Sequence, residues 1–366
     1  MSGIKDVAAK AGVSISTVSN VINKTKYVSP ALIKRVEDAI EKLDYKANPI
    51  AASMKSKKTN TIGVITEDLC GCFYPYVLRG ISDIADIKGY KIVICDVHGR
   101  TAYGKGIIEK SVAEREKELF DELINRCVDG IIFVSAVKIG NEKKYFEELK
   151  SKADNAHKAM PVVSLERDLT SFGIDSVYFE TRKNSKKAVK HLIDSGCKKI
   201  CFISGPHELQ VAEDRYCGYI ECMKENAMYL DENKMVYFGD YSHQSGYIGM
   251  EELLEKNPDL DGVFCANDQM AIGALKILKE KEKKIPDEVK IIGFDDVFVS
   301  NIVEPALSTI HVPKRAAGQK AAELLFDRIE NKDEEINAVG IKLDSHLVVR
   351  KSSSHKAKED WNLSEW

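Results

Sequence analysis

Ile15, Ser16 and Asn20 lie on the outward, N-terminal part of a short helical segment, and together they suit one chemistry, the reading of base edges in DNA. An asparagine amide pairs bidentately with adenine, and an isoleucine methyl touches the methyl of thymine. The hydroxyls of Thr17, Ser19 and Tyr45 suit phosphate oxygens, contacts that position a protein on a duplex without specifying sequence. The bland alternative for Ile15 is a stray exposed aliphatic.

Three short helices must hold these groups. The first is expected over 4–11, with Ala8 small enough for a helix crossing. Gly12 follows four residues later at a turn, where a positive φ is cheap only for glycine. Ser14 is a capping residue for a second helix to about 22, and Val18 closes the small core from it. Ser29-Pro30 opens a third, with the apolar stripe Leu32, Val36, Ala39, Ile40 and Leu43. None of the three is long enough to stand alone.

Charge agrees with a polyanionic target. The chain of 366 residues has a net charge of −3, yet residues 1–60 hold 11 Lys/Arg against 5 Asp/Glu, leaving 43 against 52 for the rest. A basic head on an acidic body is the footprint of a nucleic-acid contact. The length implies two or three domains, and an apolar fraction of 44% is ample for a core. No apolar run of about 18 residues predicts a membrane span. No apolar leader precedes the first polar helix, so a cytoplasmic protein is expected. Nine cysteines at irregular spacings argue for reduced thiols, Cys70-Gly71-Cys72 being the one close pair. No His/Cys cluster completes a metal site there, so neither metal nor cofactor is expected.

From Thr61 onward short apolar strands alternate with helical stretches such as 76–88 and 114–126. Strands are expected at 62–65, 91–94, 130–134, 161–163, 199–203, 262–265 and 290–294. Near-continuous apolar strands between helices indicate parallel sheets covered on both faces, here two halves of about four to six strands. In such folds ligands bind at the carboxyl ends of the strands.

The runs Asp6-Val7-Ala8, Ala11-Gly12-Val13-Ser14, Thr17-Val18-Ser19-Asn20-Val21-Ile22-Asn23, Leu43-Asp44-Tyr45 and Asn48-Pro49 together resemble the lactose-repressor (LacI/GalR) family of bacterial regulators. The resemblance continues through Arg126-Cys127-Val128-Asp129-Gly130, Ala266-Asn267-Asp268-Gln269, Gly293-Phe294-Asp295-Asp296 and Pro305-Ala306-Leu307-Ser308, and covers residues 3–350. It implies an all-α helix-turn-helix head at 1–47, a hinge helix and linker at 48–59, and a two-lobed, periplasmic-binding-protein-like body at 60–350. The first lobe is expected at about 60–162 with 294–325, the second at 163–293 with 326–350, so that the chain crosses near 163, 294 and 326. Residues 351–366, with both tryptophans, are expected to form a disordered tail.

The resemblance also assigns roles. In the hinge, Met54 stands where the family has a leucine wedged into the minor groove, and Lys55 faces phosphate. Arg215, Asp295 and Asn267 are the expected hydroxyl-pairing groups of the effector cleft. Tyr241 stands where an aromatic stacks on the ligand, Phe73 and Tyr74 face it from the opposite lobe, and Arg167 reaches towards the cleft. Each has a plainer reading: Arg215 and Asp295 pair with one another, Phe73 packs, and Asp268 holds the helix that follows it. Leu209 and Val211 replace frequent polar contacts, Glu180-Thr181 replaces Asp-Asn, and the connection between 96 and 114 is long.

The expected function is a ligand-controlled transcription repressor, a homodimer on a pseudo-palindromic, double-stranded operator. A carbohydrate is the leading effector, ahead of a nucleobase or a phosphorylated phosphocarrier protein. Effector binding either releases DNA or is required for holding it. Catalysis is not expected: no Gly-rich phosphate loop, metal-ligating His pair or Gly-x-Ser-x-Gly elbow occurs, and the eight histidines are scattered. A transporter's solute-binding protein would not carry this head.

Overall fold

The computed structural model describes residues 3–23, 26–45, 58–97, 111–135, 137, 142–156, 159–207, 209–331 and 337–358. It divides into a head, Met1–Thr59, and a body, Asn60–Trp366. The hinge residues Met54 and Lys55, most of the long connection after 96, and both tryptophans fall outside the described residues.

The head has three helices: α1 Ile4–Ala11, α2 Ile15–Asn23 and α3 Pro30–Lys42. Gly12 ends α1 in the left-handed region at φ 63°, as its place in the turn requires. Arg35 reaches from α3 to donate to the Ala11 carbonyl at 2.6 Å, so the end of α1 is satisfied by a side chain. Val7, Ala8, Ala11, Val18, Val36 and Ala39 are buried together, with Tyr45 packed at the margin.

The body has two six-stranded sheets. The first contains β1 Thr61–Thr66, β2 Lys91–Asp96, β3 Gly130–Val134, β4 Val162–Glu166, β5 Asp175–Tyr178 and β11 Gly340–Lys342. The second contains β6 Ile200–Ser204, β7 Val236–Phe238, β8 Gly262–Cys265, β9 Lys290–Asp295, β10 Ser308–His311 and β12 His346–Val348. Their strand orders, β2-β1-β3-β4-β5-β11 and β7-β6-β8-β9-β10-β12, are the same path laid down twice. All pairings in the first sheet are parallel. The second departs from the expected all-parallel sheet at one edge, where β12 runs antiparallel to β10.

The chain crosses between lobes at 179–180, 312–313 and 343–345, and not near 163, 294 and 326. Val163 and Leu165 of β4 and Val177 of β5 pair within the first sheet. Phe294 and Asp295 of β9 pair with β10 in the second. After the second crossing, the helix Lys314–Glu330 lies on the first lobe against the helix Tyr74–Lys88. Their close approach depends on two glycines: a Cβ at Gly80 would sit 2.0 Å from the Arg315 carbonyl, and one at Gly318 2.0 Å from that of Val77.

The tail also differs from expectation. Residues 351–358 are ordered against the second lobe: the Ser352 hydroxyl donates to the Ile291 carbonyl at 2.7 Å and accepts from Ser308 N at 2.8 Å. Ser353, also buried, lies 2.7 Å by its hydroxyl from that of Ser308 and 2.9 Å from His191 Nε2. Among the described residues no helix is long and apolar enough to cross a membrane.

Candidate functional site

In the head, α2 is positioned as a reading helix must be. The Ser14 hydroxyl accepts from Thr17 N at 3.1 Å, capping the helix. Ile15 is 44% exposed although α2 has a core to bury aliphatics in. Ser16 beside it is exposed, and Ser19 and Asn20 lie partly open one turn on. Thr17 is tied to Ser14 by a 2.8 Å hydroxyl contact, and Tyr45 packs at the edge of the core. The outward face thus combines one aliphatic with short polar groups around the positive end of a helix.

In the body, the carboxyl ends of the two sheets face a common cleft. Thr66 ends β1 and Ser204 ends β6, the equivalent strand of the other lobe. Both side-chain hydroxyls are buried and, among the described residues, have no hydrogen-bond partner. Glu166 ends β4 and Asp295 ends β9, again equivalent strands. Both take a positive φ, 71° and 100°, which turns each carboxylate out of its strand direction.

Arg215 is buried in the helix Gln210–Glu225. Its Nη1 donates to the Ala266 carbonyl at 2.6 Å and its Nη2 to Asp295 Oδ1 at 3.1 Å. The guanidinium lies over the Phe294 ring at 4.2 Å and near the Tyr241 ring at 5.8 Å. Among the described residues, its Nε has no hydrogen-bond partner. The pairing with Asp295 is therefore real, and it leaves donor capacity over.

Tyr241 lies at φ 69°, and its buried hydroxyl also has no hydrogen-bond partner among the described residues. A Cβ at Gly205 would come within 2.2 Å of its ring, so a glycine is needed there for the ring to reach the cleft. Asn267 holds this arrangement in place. Its Oδ1 caps the helix Asp268–Glu280 by accepting from Met270 N at 2.9 Å, and its Nδ2 donates to the Tyr241 carbonyl at 3.0 Å. Leu209 is buried and packs with Ala212, Val112 and Tyr241, forming an apolar wall.

On the first lobe Tyr74 is buried and its hydroxyl bonds to Glu166. Phe73 sits edge-on to it at 5.2 Å and packs against the core. Arg167 is less open than expected: it donates to the Val137 carbonyl at 2.7 Å and is paired with Glu142.

Two acids, Glu67 and Glu166, stand out that the sequence did not single out as cleft groups. Glu67 directly follows β1 and is buried. Burial and the nearby Glu116 push its carboxyl up to about 7. Burial and then Glu67 push Glu166 up to about 8. Asp295 is raised by burial, against the pull of Arg215. Asp268 is fully buried and also raised, to about 7, by burial and then by Asp295. Asp268 does not cap its own helix. It accepts from Val297 N and Ser300 Oγ, both at 2.8 Å, and from Thr309 Oγ1 at 2.6 Å, fixing the loop after β9. A clue was present for Glu166: Leu165-Glu166-Arg167 and Phe294-Asp295-Asp296 are both apolar strands ending in an acid.

Elsewhere, a groove of about 900 Å³ opens beside the helices Thr181–Asp194 and Gln210–Glu225. Two of its cations are bridged across it, Lys186 to Glu225 at 2.6 Å and Arg182 to Glu221.

Comparison with known proteins follows this division. Residues 3–48 match the model of bacterial regulatory proteins, lacI family, and 189–353 that of the periplasmic binding protein-like domain. The transcriptional repressor PurR of Vibrio atlanticus (strain LGP32) is 31% identical over 335 residues, 92% of this chain and 94% of the relative. The lac repressor dimer bound to operator and the anti-inducer ONPF superposes with a TM-score of 0.81 at 25% identity, over 96% of this chain and 99% of that one. The complex of the transcriptional regulator CelR with cellobiose gives 0.67 at 29% identity, over 96% and 100%.

Proposed function

The chain belongs to the lacI family of bacterial regulatory proteins, and from that membership we propose a repressor controlled by a carbohydrate held between its two lobes. At the coarser level it is a DNA-binding transcription regulator and not an enzyme. Two copies bind a pseudo-palindromic operator, since a two-fold protein asks for a two-fold site. The likeness to the lac repressor dimer on its operator supports this arrangement.

The observation that carries the carbohydrate reading is a set of buried polar atoms at the carboxyl ends of the two sheets. Among the described residues, Thr66 Oγ1, Ser204 Oγ, Arg215 Nε and the Tyr241 hydroxyl lack hydrogen-bond partners. Each such group costs about 1–3 kcal/mol while unmatched. A polyol supplies both donors and acceptors at short spacing and matches all four. The cellobiose complex of a similar regulator agrees with this class.

Control follows from where these atoms lie. Thr66 belongs to one lobe and Ser204, Arg215 and Tyr241 to the other, so a ligand matching both sets favours one arrangement of the lobes over another. That preference is the coupling free energy available to change operator affinity. Met54 and Lys55 are proposed to receive this change at the minor groove, with Ile15, Ser16 and Asn20 reading bases and Thr17, Ser19 and Tyr45 on phosphates. Phe73 and Tyr74 close the cleft opposite Tyr241, while Arg167 and Asn267 position its walls.

Thermal unfolding of the full chain against a panel of sugars, sugar phosphates and purines tests the reading. A ligand bound to the folded body raises the midpoint by mass action. A saturable shift with a sugar, lost in Arg215→Ala, is expected. A shift with a purine alone would replace the carbohydrate reading.

A further inference from the structure

We propose that Lys314 is the positioning residue through which the ligand wall at Arg215 and Asp295 acts on the first lobe. The inference goes beyond the carbohydrate reading, because it needs the cleft as the control site and not the identity of what fills it. It starts from a buried charge. Lys314 opens the helix Lys314–Glu330 directly after the second crossing, and it is only 5% exposed. A buried ammonium is tolerated only where acceptors meet it.

Three carbonyls accept from it: those of Asp295 at 2.5 Å, Asp296 at 2.9 Å and Val312 at 3.2 Å. The first two belong to the end of β9 and the residue after it, in the second lobe, where successive positive φ values of 100° and 52° turn the backbone. The Tyr76 ring of the first lobe lies 6.0 Å from the same ammonium. Asp295 thus uses its side chain on Arg215, at 3.1 Å, and its carbonyl on Lys314. The adjoining Asp296 is held in turn: its carboxylate accepts from Arg350 at 2.7 Å and lies 2.8 Å from His311 Nδ1. One short path therefore joins the cleft wall to a helix of the other lobe.

That helix is fixed to its own lobe. Arg315, the next residue, donates to Asp83 of the helix Tyr74–Lys88 at 2.9 Å. Gly80 and Gly318 bring the two helices so close that a Cβ on either would meet a carbonyl at 2.0 Å. Closely packed helices shift as units, so a displacement of the Asp295 carbonyl is passed to both of them. An ammonium suits this post, because its three charge-assisted donors hold three backbone oxygens in one geometry. A ligand that repositions Asp295 thereby biases the first lobe through Lys314.

Amide hydrogen exchange of the full, ligand-free chain tests the proposal, with Asp295→Asn as the disturbance of the cleft wall. In the otherwise wild-type chain, exchange in the helices Lys314–Glu330 and Tyr74–Lys88 is expected to rise about fivefold or more relative to β8 of the second lobe. In the Lys314→Met background the same substitution should add less than about twofold. In Lys314→Arg, which keeps the charge and the donors, the response should return. Where Lys314→Met lacks a cooperative unfolding transition, Lys314→Gln takes its place. An equal rise in the wild-type and Lys314→Met backgrounds gives Lys314 a structural role alone and overturns the inference, as does a rise that β8 shares or no rise at all. No sugar enters the experiment, so a panel without a binder would remove the carbohydrate reading and leave this test in force.

Discussion

Glu166 and Asp295 occupy the same place in the two lobes. Each is the last residue of the strand that lies third from the β11 or β12 edge of its sheet, and each turns into the cleft through a positive φ. Asp295 accepts from the Arg215 guanidinium at 3.1 Å. Glu166 has a phenol, that of Tyr74. The duplicated fold thus gives equivalent carboxylates with different neighbours.

Removing the neutralising partner should be costly. Arg215→Ala strips Asp295 of its ion pair in a buried site and is expected to destabilise the body by about 3–5 kcal/mol. Asp295→Asn, which keeps the shape and an acceptor, should cost less. Chemical denaturation of the two variants at pH 7 separates these outcomes, and equal losses would contradict the pairing.

A second buried pair tests the first lobe alone. Arg328 donates to Asp175 at 2.7 and 2.9 Å, and Val339 N bonds to the same carboxylate at 2.8 Å, tying the long helix and β11 to β5. Arg328→Ala should lose about 3 kcal/mol by denaturant unfolding. Replacement of both partners by apolar residues should recover part of that loss.

Stability should fall as pH rises from the acid range to about 8. Glu67 and Glu166 have native proton affinities raised from 4.5 to about 7 and about 8. The native state therefore holds more protons than the unfolded one over that interval. The contribution is complete below about 4.5 and is lost as pH rises through 7 and 8. Asp296 and Asp240, both held below the usual range, stay ionised throughout this window. The thermal midpoint of the ligand-free chain is expected to drop as pH rises from about 4.5 to about 8 and to level off above that. The Glu166→Gln variant should flatten that slope, and an unchanged slope would contradict the burial of the acid.

In the head, Asn20→Ala and Ile15→Ala should each weaken operator binding by about 1–3 kcal/mol and relax sequence preference. Binding to unrelated duplex should change little. Fluorescence anisotropy with both duplexes decides the point, and equal loss on both would make these residues phosphate contacts.

Sequence punctuation made the head legible, because Gly12, Ser14 and Ser29-Pro30 each do a local job that only a few residue types do. The sheets were legible where strands are continuous apolar runs. The lobe crossings were not. β5, Asp-Ser-Val-Tyr, and β10, Ser-Thr-Ile-His, contain polar residues whose partners are distant in sequence. Asp175 is matched by Arg328, and Ser308 by Ser352 and Ser353. Without those partners the segments read as loops, and the crossings were placed a strand too early.

The cleft was half legible. Arg215, Tyr241 and Asp295 meet as expected, while Asn267 and Arg167 spend much of their hydrogen bonding on the protein. The expected strands 62–65 and 161–163 stop short of Glu67 and Glu166. Only the sheet order and the backbone turn at Glu166 bring them inside.

The central claim is that a molecule in the cleft controls the head. Its most direct test is operator affinity, titrated with the sugar that stabilises the folded chain, for the wild type and for Arg215→Ala. The account predicts a shift of about 5–150-fold in the wild type and none in the variant. An equal shift in both, or a stabilising sugar that leaves wild-type operator affinity unchanged, would contradict it.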